Sequence, residues 1–393
     1  MRLMQTTILA VITALTILGS FSSWAENRAF ALAEHLAPSD LRESLLSCNS
    51  DPLARHDFSI SHRGAPLGYP EHTAEGYRAA ADMGAGLIEC DVTFTKDKTL
   101  VCRHSQCDLH RTTNILATPL AEQCSDSFTP ASGDQPASAK CCTSDITVAE
   151  FKSLCGRPDH VNPRAATVDD YLAPQPSPVV DQVLECGTVL THRESIELIN
   201  ELKRDFVPEL KSPMVAMPFD GFSQTDYAQK LLAEYRAMGI PLSRVYPQSF
   251  TFDDVALWLQ YPEVRDRVVY LDPRGRQPDF MPSAANMKSL YDQGLRILAP
   301  PLPMLLQLDE QGQIVPTDYA TLARQAKLDL IAWTFERGSI LDPNNFMWTR
   351  LQSALSHEAD MLTALEILAR SVGVRGVFSD WPETTTTYAN CRP

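Results

Sequence analysis

Short apolar segments that alternate with helical segments are the feature of this sequence that most restricts its fold. Strands that alternate with helices build a parallel α/β sheet, and 393 residues suffice for an enlarged (β/α)₈ barrel. The sequence therefore predicts a TIM barrel. There are nine strand candidates for eight places, and we expect either 268–271 or 295–298 to be irregular. The candidates are residues 58–60, 87–95, 99–103, 206–210, 245–250, 268–271, 295–298, 330–335 and 377–378.

Residues 106–186 interrupt this alternation. The segment is rich in Pro, Ser, Thr, Asp and Cys and lacks long periodic stretches. A disordered tract has fewer cysteines, so we expect a disulfide-stapled insertion after the third strand, within one barrel domain of residues 26–393. A zinc site is the competing interpretation, but no C-x-x-C occurs and Cys141 and Cys142 are adjacent. One local disulfide, Cys102 to Cys107, is expected across the loop that holds His104.

The first 25 residues have the pattern of a signal peptide. Arg2 precedes an apolar run at 6–21, and Ser23-Trp24-Ala25 resembles a cleavage site. An uncleaved membrane anchor is the alternative, but the run is shorter than the roughly 20 residues that span a bilayer. Ten cysteines fit disulfides in an oxidising compartment. We therefore expect export, to a periplasm or out of the cell.

The charge of the chain restricts its partners. A formal net charge of -15 repels nucleic acid and anionic membranes, so we expect no nucleic-acid partner and no stable membrane insertion. A small phosphate-bearing molecule can still bind through a locally basic pocket. The oligomeric state is left open.

Two carboxylates share one side of the second predicted strand. Residues two apart in a strand point the same way, so Glu89 and Asp91 project together while Cys90 faces away. Two adjacent carboxylates repel each other unless a cation lies between them, and a hard divalent cation suits them best. Two histidines, His62 at the end of the first predicted strand and His104 at the end of the third, are suited to general acid–base work.

Glu209 and Lys211 form another pair two residues apart, at the end of the fourth predicted strand. Glu209 supplies a third carboxylate for Ca²⁺ or Mg²⁺. Such a metal polarises a phosphoryl oxygen and lowers the pKa of a bound water. Arg63 and Lys211 balance the remaining phosphate charge.

Together these residues resemble the glycerophosphodiester phosphodiesterase family, within the group of phospholipase C-like phosphodiesterase barrels. The resemblance covers most of the chain after the signal peptide, and its motifs follow the family order. They are His62-Arg63-Gly64, Pro70-Glu71-His72-Thr73, Glu89-Cys90-Asp91-Val92, Thr95-Lys96-Asp97, His104, Arg111-Thr112-Thr113, Glu209-Leu210-Lys211, Gln248-Ser249-Phe250, Trp333-Thr334 and Ser379-Asp380-Trp381-Pro382.

The resemblance implies a TIM barrel that hydrolyses glycerophosphodiesters to glycerol 3-phosphate and an alcohol. It implies a metal held by Glu89, Asp91 and Glu209, with His62 as general base and His104 as general acid. A long insertion after the third strand resembles the exported type, which usually uses Ca²⁺; Mg²⁺ is the second choice.

Other residues in these motifs lie outside the metal and acid–base set. Large residues at strand ends often fill a barrel mouth, so Gln248, Phe250 and Trp333 are expected either to contact substrate or to pack there. His72 and His110 are expected to be structural. Asp380 is expected to support the last loop without binding metal.

Three positions depart from the common family pattern. The family commonly has Asn at His72, Gly at Lys98, and Asp at Ser105. Ser105 removes a carboxylate that would otherwise lie beside His104, and the expected Cys102–Cys107 bond would offset that loss by fixing the loop.

Two other functions remain open at this stage. One is a phospholipase D-like or cyclising phosphodiesterase acting on a lysophospholipid or sphingolipid, which an exposed apolar rim around the site would favour. The other is a non-catalytic phosphate-binding barrel, which the retained ligands and histidines oppose.

Overall fold

The computed structural model describes residues 27–48, 53–277 and 280–392. The expected signal peptide, residues 1–25, lies outside the described residues. Within the described ranges no helix is long and apolar enough to cross a membrane.

The strands confirm the predicted alternation and form one large sheet and three small ones. In chain order, β1 to β15 are His56–Ser61, Ala85–Phe94, Leu100–Cys102, Asp126–Thr129, Ser138–Lys140, Cys155–Gly156, Gly187–Thr188, Asp205–Leu210, Gln248–Ser249, Val269–Leu271, Ile297–Ala299, Leu306–Leu308, Ile314–Pro316, Asp329–Phe335 and Gly376–Ser379. The two-stranded sheets are β4–β5, β6–β7 and β12–β13.

Eight strands close into a parallel barrel, which confirms the TIM-barrel prediction. They run in the order β1, β2, β8, β9, β10, β11, β14 and β15, and β15 pairs with β1 to close the circle. The expectation that either 268–271 or 295–298 is irregular is wrong, because both segments contribute barrel strands, β10 and β11. The surplus strand is β3, which pairs antiparallel with β2 outside the circle.

Helices cover the outside of the barrel, and several begin at a side-chain cap. Thr191 and Ser223 each accept a hydrogen bond from the backbone N–H three residues later, which stabilises the first turns of α7 and α8. The α-helices, α1 to α14, are Arg28–Glu34, Asp40–Ser47, Ala74–Asp82, Leu109–Thr112, Val148–Phe151, Val168–Tyr171, His192–Glu201, Gln224–Ala237, Phe252–Trp258, Ala284–Asp292, Leu302–Leu305, Asp318–Gln325, Asp360–Glu366 and Pro382–Cys391. A π-helix, Ile367–Val372, continues α13. Short 3₁₀ helices are Ile115–Ala117, Pro119–Gln123, Thr143–Asp145, Leu242–Arg244, Arg265–Arg267, Arg274–Arg276 and Gln352–Ala354.

The barrel has an apolar interior separate from the layer beneath the helices. Buried branched and aromatic side chains from the barrel strands fill it, including Ile60, Leu87, Val207, Ile297 and Phe378. Because this interior is packed with side chains, the open space lies at the barrel mouth, where the strands end.

The segment 106–186 has its own hydrophobic cluster, which explains why it needs few periodic helices. Buried residues of this cluster include Leu109, Ile115, Phe151 and Tyr171. Three disulfides, Cys107–Cys142, Cys124–Cys141 and Cys155–Cys186, lie within the segment. They confirm the expected stapling.

The expected Cys102–Cys107 disulfide is wrong. Cys102 bonds to Cys90, and Cys107 bonds to Cys142. The reason is the antiparallel pairing of β3 with β2, which sets Cys102 opposite Val92 and so beside Cys90 on the same face. The remaining disulfide, Cys48–Cys391, ties the N-terminal helices to α14, and no described cysteine is free.

Candidate active site

A cavity of about 340 Å³ lies at the carboxyl ends of the barrel strands, where TIM-barrel enzymes place their active sites. Most of the side chains predicted for the site line it, and they come from separate strands and the loops after them. The predicted residues lining it are His62, Arg63, Glu89, His104, Glu209, Lys211, Phe250 and Trp333.

Three carboxylates meet at this cavity: Glu89 and Glu209 line it, and Asp91 clusters with them without lining it. One oxygen each of Glu89, Asp91 and Glu209 lies within 4.8 Å of the others, and all three residues are buried. Parallel register brings them together, because Asp91 on β2 is level with Glu209 on β8. The i, i+2 spacing read from the sequence thus corresponds to a real cluster.

This cluster fits a divalent cation. Oδ1 of Asp91 is buried and has no hydrogen-bond partner among the described residues. Burial, followed by the charges of Asp91 and Glu209, holds the pKa of Glu89 well above its usual range. Burial also raises the pKa of Glu209 to about 7, against the lowering effect of Lys211. Oxygen-only donors that are this crowded suit a hard cation such as Ca²⁺ or Mg²⁺.

Two buried side chains orient these carboxylates from behind. His72 Nε2 lies 2.8 Å from Asp91 Oδ2, and its Nδ1 lies 3.0 Å from the Tyr77 hydroxyl. Gln248 Nε2 donates to Glu89 Oε1 at 2.8 Å. Gln248 is completely buried and does not line the cavity, and its hydrogen bond supports the Glu89 carboxylate.

Lys211 and Arg63 supply positive charge beside the carboxylates. Lys211 Nζ lies 2.6 Å from Glu209 Oε1 and 3.7 Å from Asp91 Oδ1. Arg63 donates its backbone N–H to Glu89 at 3.0 Å and a guanidinium N–H to Glu71 Oε2, also at 3.0 Å. Both cations also line the cavity, so they are available to an anionic group placed there.

His62 is held by Asp380. Its Nδ1 is hydrogen bonded to Asp380 Oδ1, while Nε2 lies 3.9 Å from Glu89. Burial and the Arg63 charge lower the pKa of His62 to about 4, although Asp380 acts in the opposite direction. The ring is therefore neutral at neutral pH, with its proton on Nδ1 and a lone pair on Nε2. That is the form a general base requires.

Asp380 was expected only to support the last loop, but it contacts the predicted base His62 and so belongs to the site. It lies outside the group of three carboxylates and bonds instead to His62 and to Arg337, whose Nη1 lies 3.2 Å from Asp380 Oδ2. Arg337 also reaches Asp159 of the inserted segment, at 3.9 Å. The histidine that follows β1 is thus linked through two charged residues to the insertion.

His104 lies in the loop after β3 and lines the cavity. Burial, with the charges of Arg63 and Lys211, holds its pKa well below the usual value. Two carboxylates approach it, because one donor atom each of Glu71, His104 and Asp108 lies within 4.8 Å of the others. Neither carboxylate was singled out from the sequence.

An apolar wall completes the cavity. Phe250 and Trp333 pack edge to face, with ring centroids 5.7 Å apart, and Phe346 and Met347 lie beside them in the cavity lining. Trp333 also donates its indole N–H to the carbonyl of Ala299 at 2.7 Å. His110, by contrast, stacks on Tyr171 away from the site, as expected for a structural residue.

The sequence matches the glycerophosphoryl diester phosphodiesterase family over residues 62–384. A protein of Arthroderma benhamiae named "Extracellular protein" is 39% identical over 241 residues, which are 59% of this chain and 98% of that protein. A Silicibacter pomeroyi DSS-3 structure named "Putative glycerophosphoryl diester phosphodiesterase" has a TM-score of 0.55 at 20% identity, covering 87% of this chain and 95% of that one. An Oleispira antarctica phosphodiesterase, solved in complex with the product sn-glycerol-3-phosphate, has a TM-score of 0.51 at 18% identity, covering 84% and 95%.

At these identities the two structures establish the fold, while the family match covers most of this chain and agrees with the geometry of the cavity. The chain therefore belongs to the glycerophosphoryl diester phosphodiesterase family and is an enzyme of the phosphoric diester hydrolase class.

Proposed function

We propose that this protein hydrolyses water-soluble glycerophosphodiesters to glycerol 3-phosphate and an alcohol. We propose that it uses one divalent cation, with Ca²⁺ preferred over Mg²⁺. The observation that carries the proposal is the placement of three buried carboxylates, two cations and two histidines around one cavity. The product named in the Oleispira antarctica structure supports the same substrate class.

We assign the cation to Glu89, Asp91 and Glu209. When bound, the metal supplies Lewis-acid stabilisation of the charge that builds up on the phosphoryl oxygens. The remaining charge of the phosphate is met by Arg63 and Lys211, which already lie beside the carboxylates. These two side chains hold the diester in place for attack on phosphorus.

The two histidines have complementary tasks. His62 Nε2 accepts a proton from the attacking water, since Nδ1 is held by Asp380. His104 gives a proton to the leaving alcohol oxygen as the phosphorus–oxygen bond breaks. Phe250 and Trp333 form the apolar wall against which the glycerol or alcohol carbons pack.

A phosphorus NMR experiment tests the proposal. Mature protein is mixed with glycerophosphocholine and Ca²⁺, and a parallel sample contains a chelator. We expect a phosphomonoester signal for glycerol 3-phosphate that is absent with chelator. An unchanged diester signal contradicts hydrolysis of this substrate, and a five-membered cyclic phosphate signal indicates internal attack by a substrate hydroxyl.

A lysophospholipid substrate is the second candidate, and an apolar rim supports it. Phe346 lines the cavity and is 44% exposed. Met214 is 52% exposed and its Sδ lies 3.0 Å from the Ser105 hydroxyl, next to His104. Exposed apolar side chains at a site entrance are typical of surfaces that meet apolar ligands. If lysophosphatidylcholine is cleaved faster than glycerophosphocholine, and Phe346→Ser abolishes only that preference, the lipid becomes the preferred substrate.

Export and a single catalytic domain complete the proposal. The signal-like sequence at 1–25, five disulfides and a relative named "Extracellular protein" all agree with secretion or a periplasmic location. We propose that residues 26–393 form one catalytic unit in which 106–186 is an insertion. Mass spectrometry of the protein recovered outside the cytoplasm tests cleavage after Ala25.

A further inference from the structure

The proposed acid, His104, sits in a loop that is anchored on both sides. Cys102, two residues earlier, is bonded to Cys90, and Cys107, three residues later, is bonded to Cys142. Between these anchors the backbone N–H of Ser105 donates to Asp108 Oδ2 at 2.8 Å. This contact fixes the carboxyl group of Asp108 relative to the residue that follows the histidine.

The Asp91 carboxylate, a proposed cation ligand, acts on the charge of the His104 ring, and two further carboxylates, Asp108 and Glu71, lie near it. They form a three-membered cluster with it, within 4.8 Å, although among the described residues neither carboxylate makes an ion pair shorter than 4.0 Å with the ring. A gap of this size is bridged by one water or closed by a small side-chain rotation, and catalytic hydrogen bonds often shorten when substrate binds.

The two carboxylates differ in what else they bind. Glu71 accepts a hydrogen bond from the Arg63 guanidinium at 3.0 Å, and the Arg63 charge, against the effect of burial, holds the pKa of Glu71 well below its usual value, so Glu71 has no proton to give although its Oε1 has no hydrogen-bond partner among the described residues. Asp108 receives only neutral donors among the described residues, namely Ser105 N–H and the Thr112 hydroxyl at 3.4 Å. Asp108 is also buried, and a buried carboxyl group without an ionic partner favours its protonated form.

His104 alone is poorly suited to act as the general acid, because its pKa is lowered. Its partly buried ring feels the charges of Arg63 and Lys211, and burial together with these charges disfavours the imidazolium. Burial and the Glu71 charge raise the pKa of Asp108 to about 7, against the lowering effect of Arg103. At neutral pH the proton is therefore more easily stored on the carboxyl group than on the ring.

We propose that Asp108 is the positioning and proton-supplying partner of His104, so that the two residues act together as the general acid. As water attacks phosphorus, the bond from phosphorus to the alcohol oxygen breaks, and one ring nitrogen of His104 gives its proton to that oxygen. Asp108 passes its own proton to the other ring nitrogen and becomes a carboxylate, which solvent then reprotonates. The proton that leaves the attacking water goes to His62.

This inference rests on the proposed function, and its test separates the two. Wild-type protein, His104→Gln and Asp108→Asn are assayed on glycerophosphocholine, whose alcohol needs a proton to leave, and on glycerophospho-p-nitrophenol, whose phenolate leaves without one. The amide introduced by Asp108→Asn keeps an oxygen that can accept from Ser105 N–H. Asp145→Asn is the control, since Asp145 is a carboxylate of the same inserted segment that bonds Ser125 and Cys142 N–H.

We expect Asp108→Asn to lower kcat on glycerophosphocholine about 10- to 100-fold and on the nitrophenyl ester less than about 3-fold, because general acid catalysis contributes roughly 10²–10⁴-fold. Asp108→Glu should recover part of the loss, and adding Asp108→Asn to His104→Gln should cost little more. The ratio of the two rates on one preparation does not depend on how much of a variant is folded.

Equal losses on both substrates overturn the inference and indicate a purely structural role for Asp108. A wild-type protein inactive on both substrates contradicts the proposed function instead.

Discussion

Cys90 and Cys102 form a disulfide that ties the strand carrying Glu89 and Asp91 to the loop carrying His104. Cys90 lies between the two carboxylates in sequence but points to the opposite face of β2, and Cys102 is two residues before the histidine. One covalent bond therefore connects the proposed cation site and the proposed acid.

Removing this disulfide should affect catalysis more than removing a disulfide elsewhere. The Cys90→Ala/Cys102→Ala protein loses a 12-residue link, worth about 3 kcal/mol of unfolding free energy in the chain-entropy model. We expect a similar loss of stability from Cys155→Ala/Cys186→Ala, which removes a 31-residue link in the insertion.

The two double variants should differ in activity, because the Cys90–Cys102 bond holds the His104 loop against β2 and the Cys155–Cys186 bond does not. We expect kcat to fall about 10-fold or more for the first variant, since misplacement by about 1 Å costs roughly 10²-fold, and to fall less than about 3-fold for the second. Urea denaturation and initial rates on glycerophosphocholine at a temperature where both variants are folded measure the two effects. Equal losses of kcat would show that the Cys90–Cys102 bond contributes stability only.

Cation affinity should depend on pH through Glu209. Burial raises its pKa to about 7, so a proton on Glu209 competes with the cation below about pH 7. We expect the Kd for Ca²⁺ to weaken by up to about tenfold per pH unit below pH 7 through Glu209, and any pH dependence that remains in Glu209→Gln to come from Glu89, whose pKa is also raised. Isothermal titration calorimetry at pH 6, 7 and 8 checks this. A Kd that is constant from pH 6 to 8 contradicts it, and Glu209→Gln is the matched variant that removes the titrating ligand.

The barrel strands were the most predictable part of this molecule. The segments 206–210 and 330–335 correspond closely to β8 and β14, because buried strands read as short continuous apolar runs between turns. The same-side placement of Glu89 and Asp91 was predictable for an equally local reason, the two-residue period of a strand.

The Cys90–Cys102 bond was missed because it depends on the direction of a strand. Only a tight turn at Lys96-Asp97-Lys98 separates the second and third strand candidates. A link this short cannot make the crossover that a parallel strand requires. The turn therefore predicts an antiparallel hairpin.

Glu71, Asp108 and Arg337 reach the site from loops, and their positions depend on how the insertion packs on the barrel mouth. Local sequence period carries no information about such contacts. Glu71 was the easiest of the three to predict, because it lies in one of the motifs that carry the family resemblance. No motif or residue spacing in the sequence indicated Arg337.

Asp380 should matter for catalysis through His62. Asp380→Asn removes the anionic acceptor that keeps the proton on Nδ1 and leaves Nε2 free, so we expect kcat to fall about 10²-fold or more. Asp380 also raises the pKa of His62, which is about 4. Its loss should move the acid limb of the kcat/KM profile to still lower pH, since the base then stays unprotonated to lower pH.

The pH–rate profile from pH 3.5 to 8 and the Kd for Ca²⁺ test this role together. Asp254→Asn is the control, because Asp254 is a buried aspartate that bonds Ser249 and Gln224. An acid limb that moves to higher pH in Asp380→Asn would contradict the assignment, as would a loss of activity explained entirely by weaker Ca²⁺ binding.

His72 should set cation affinity without taking part in proton transfer. Its ring bridges the Tyr77 hydroxyl and Asp91 Oδ2, and burial lowers its pKa, so the neutral ring donates from Nε2 and fixes the orientation of a proposed ligand. Loss of such a partner typically costs 10–100-fold in metal affinity. We therefore expect His72→Ala to weaken Ca²⁺ binding about 10- to 100-fold, while kcat at saturating Ca²⁺ stays within about 3-fold of wild type.

His72→Asn should be milder. Asn is the common family residue here, it tolerates the left-handed backbone at φ 54, and its amide can still donate towards Asp91. We expect a loss of less than about 10-fold, with His110→Asn as the control that leaves Ca²⁺ binding unchanged. Calorimetric Kd values for the three variants decide the matter. If His72→Ala binds Ca²⁺ as tightly as wild type, then Lys211 and Arg63 alone suffice to orient Asp91, and the His72–Asp91 hydrogen bond contributes only to folding.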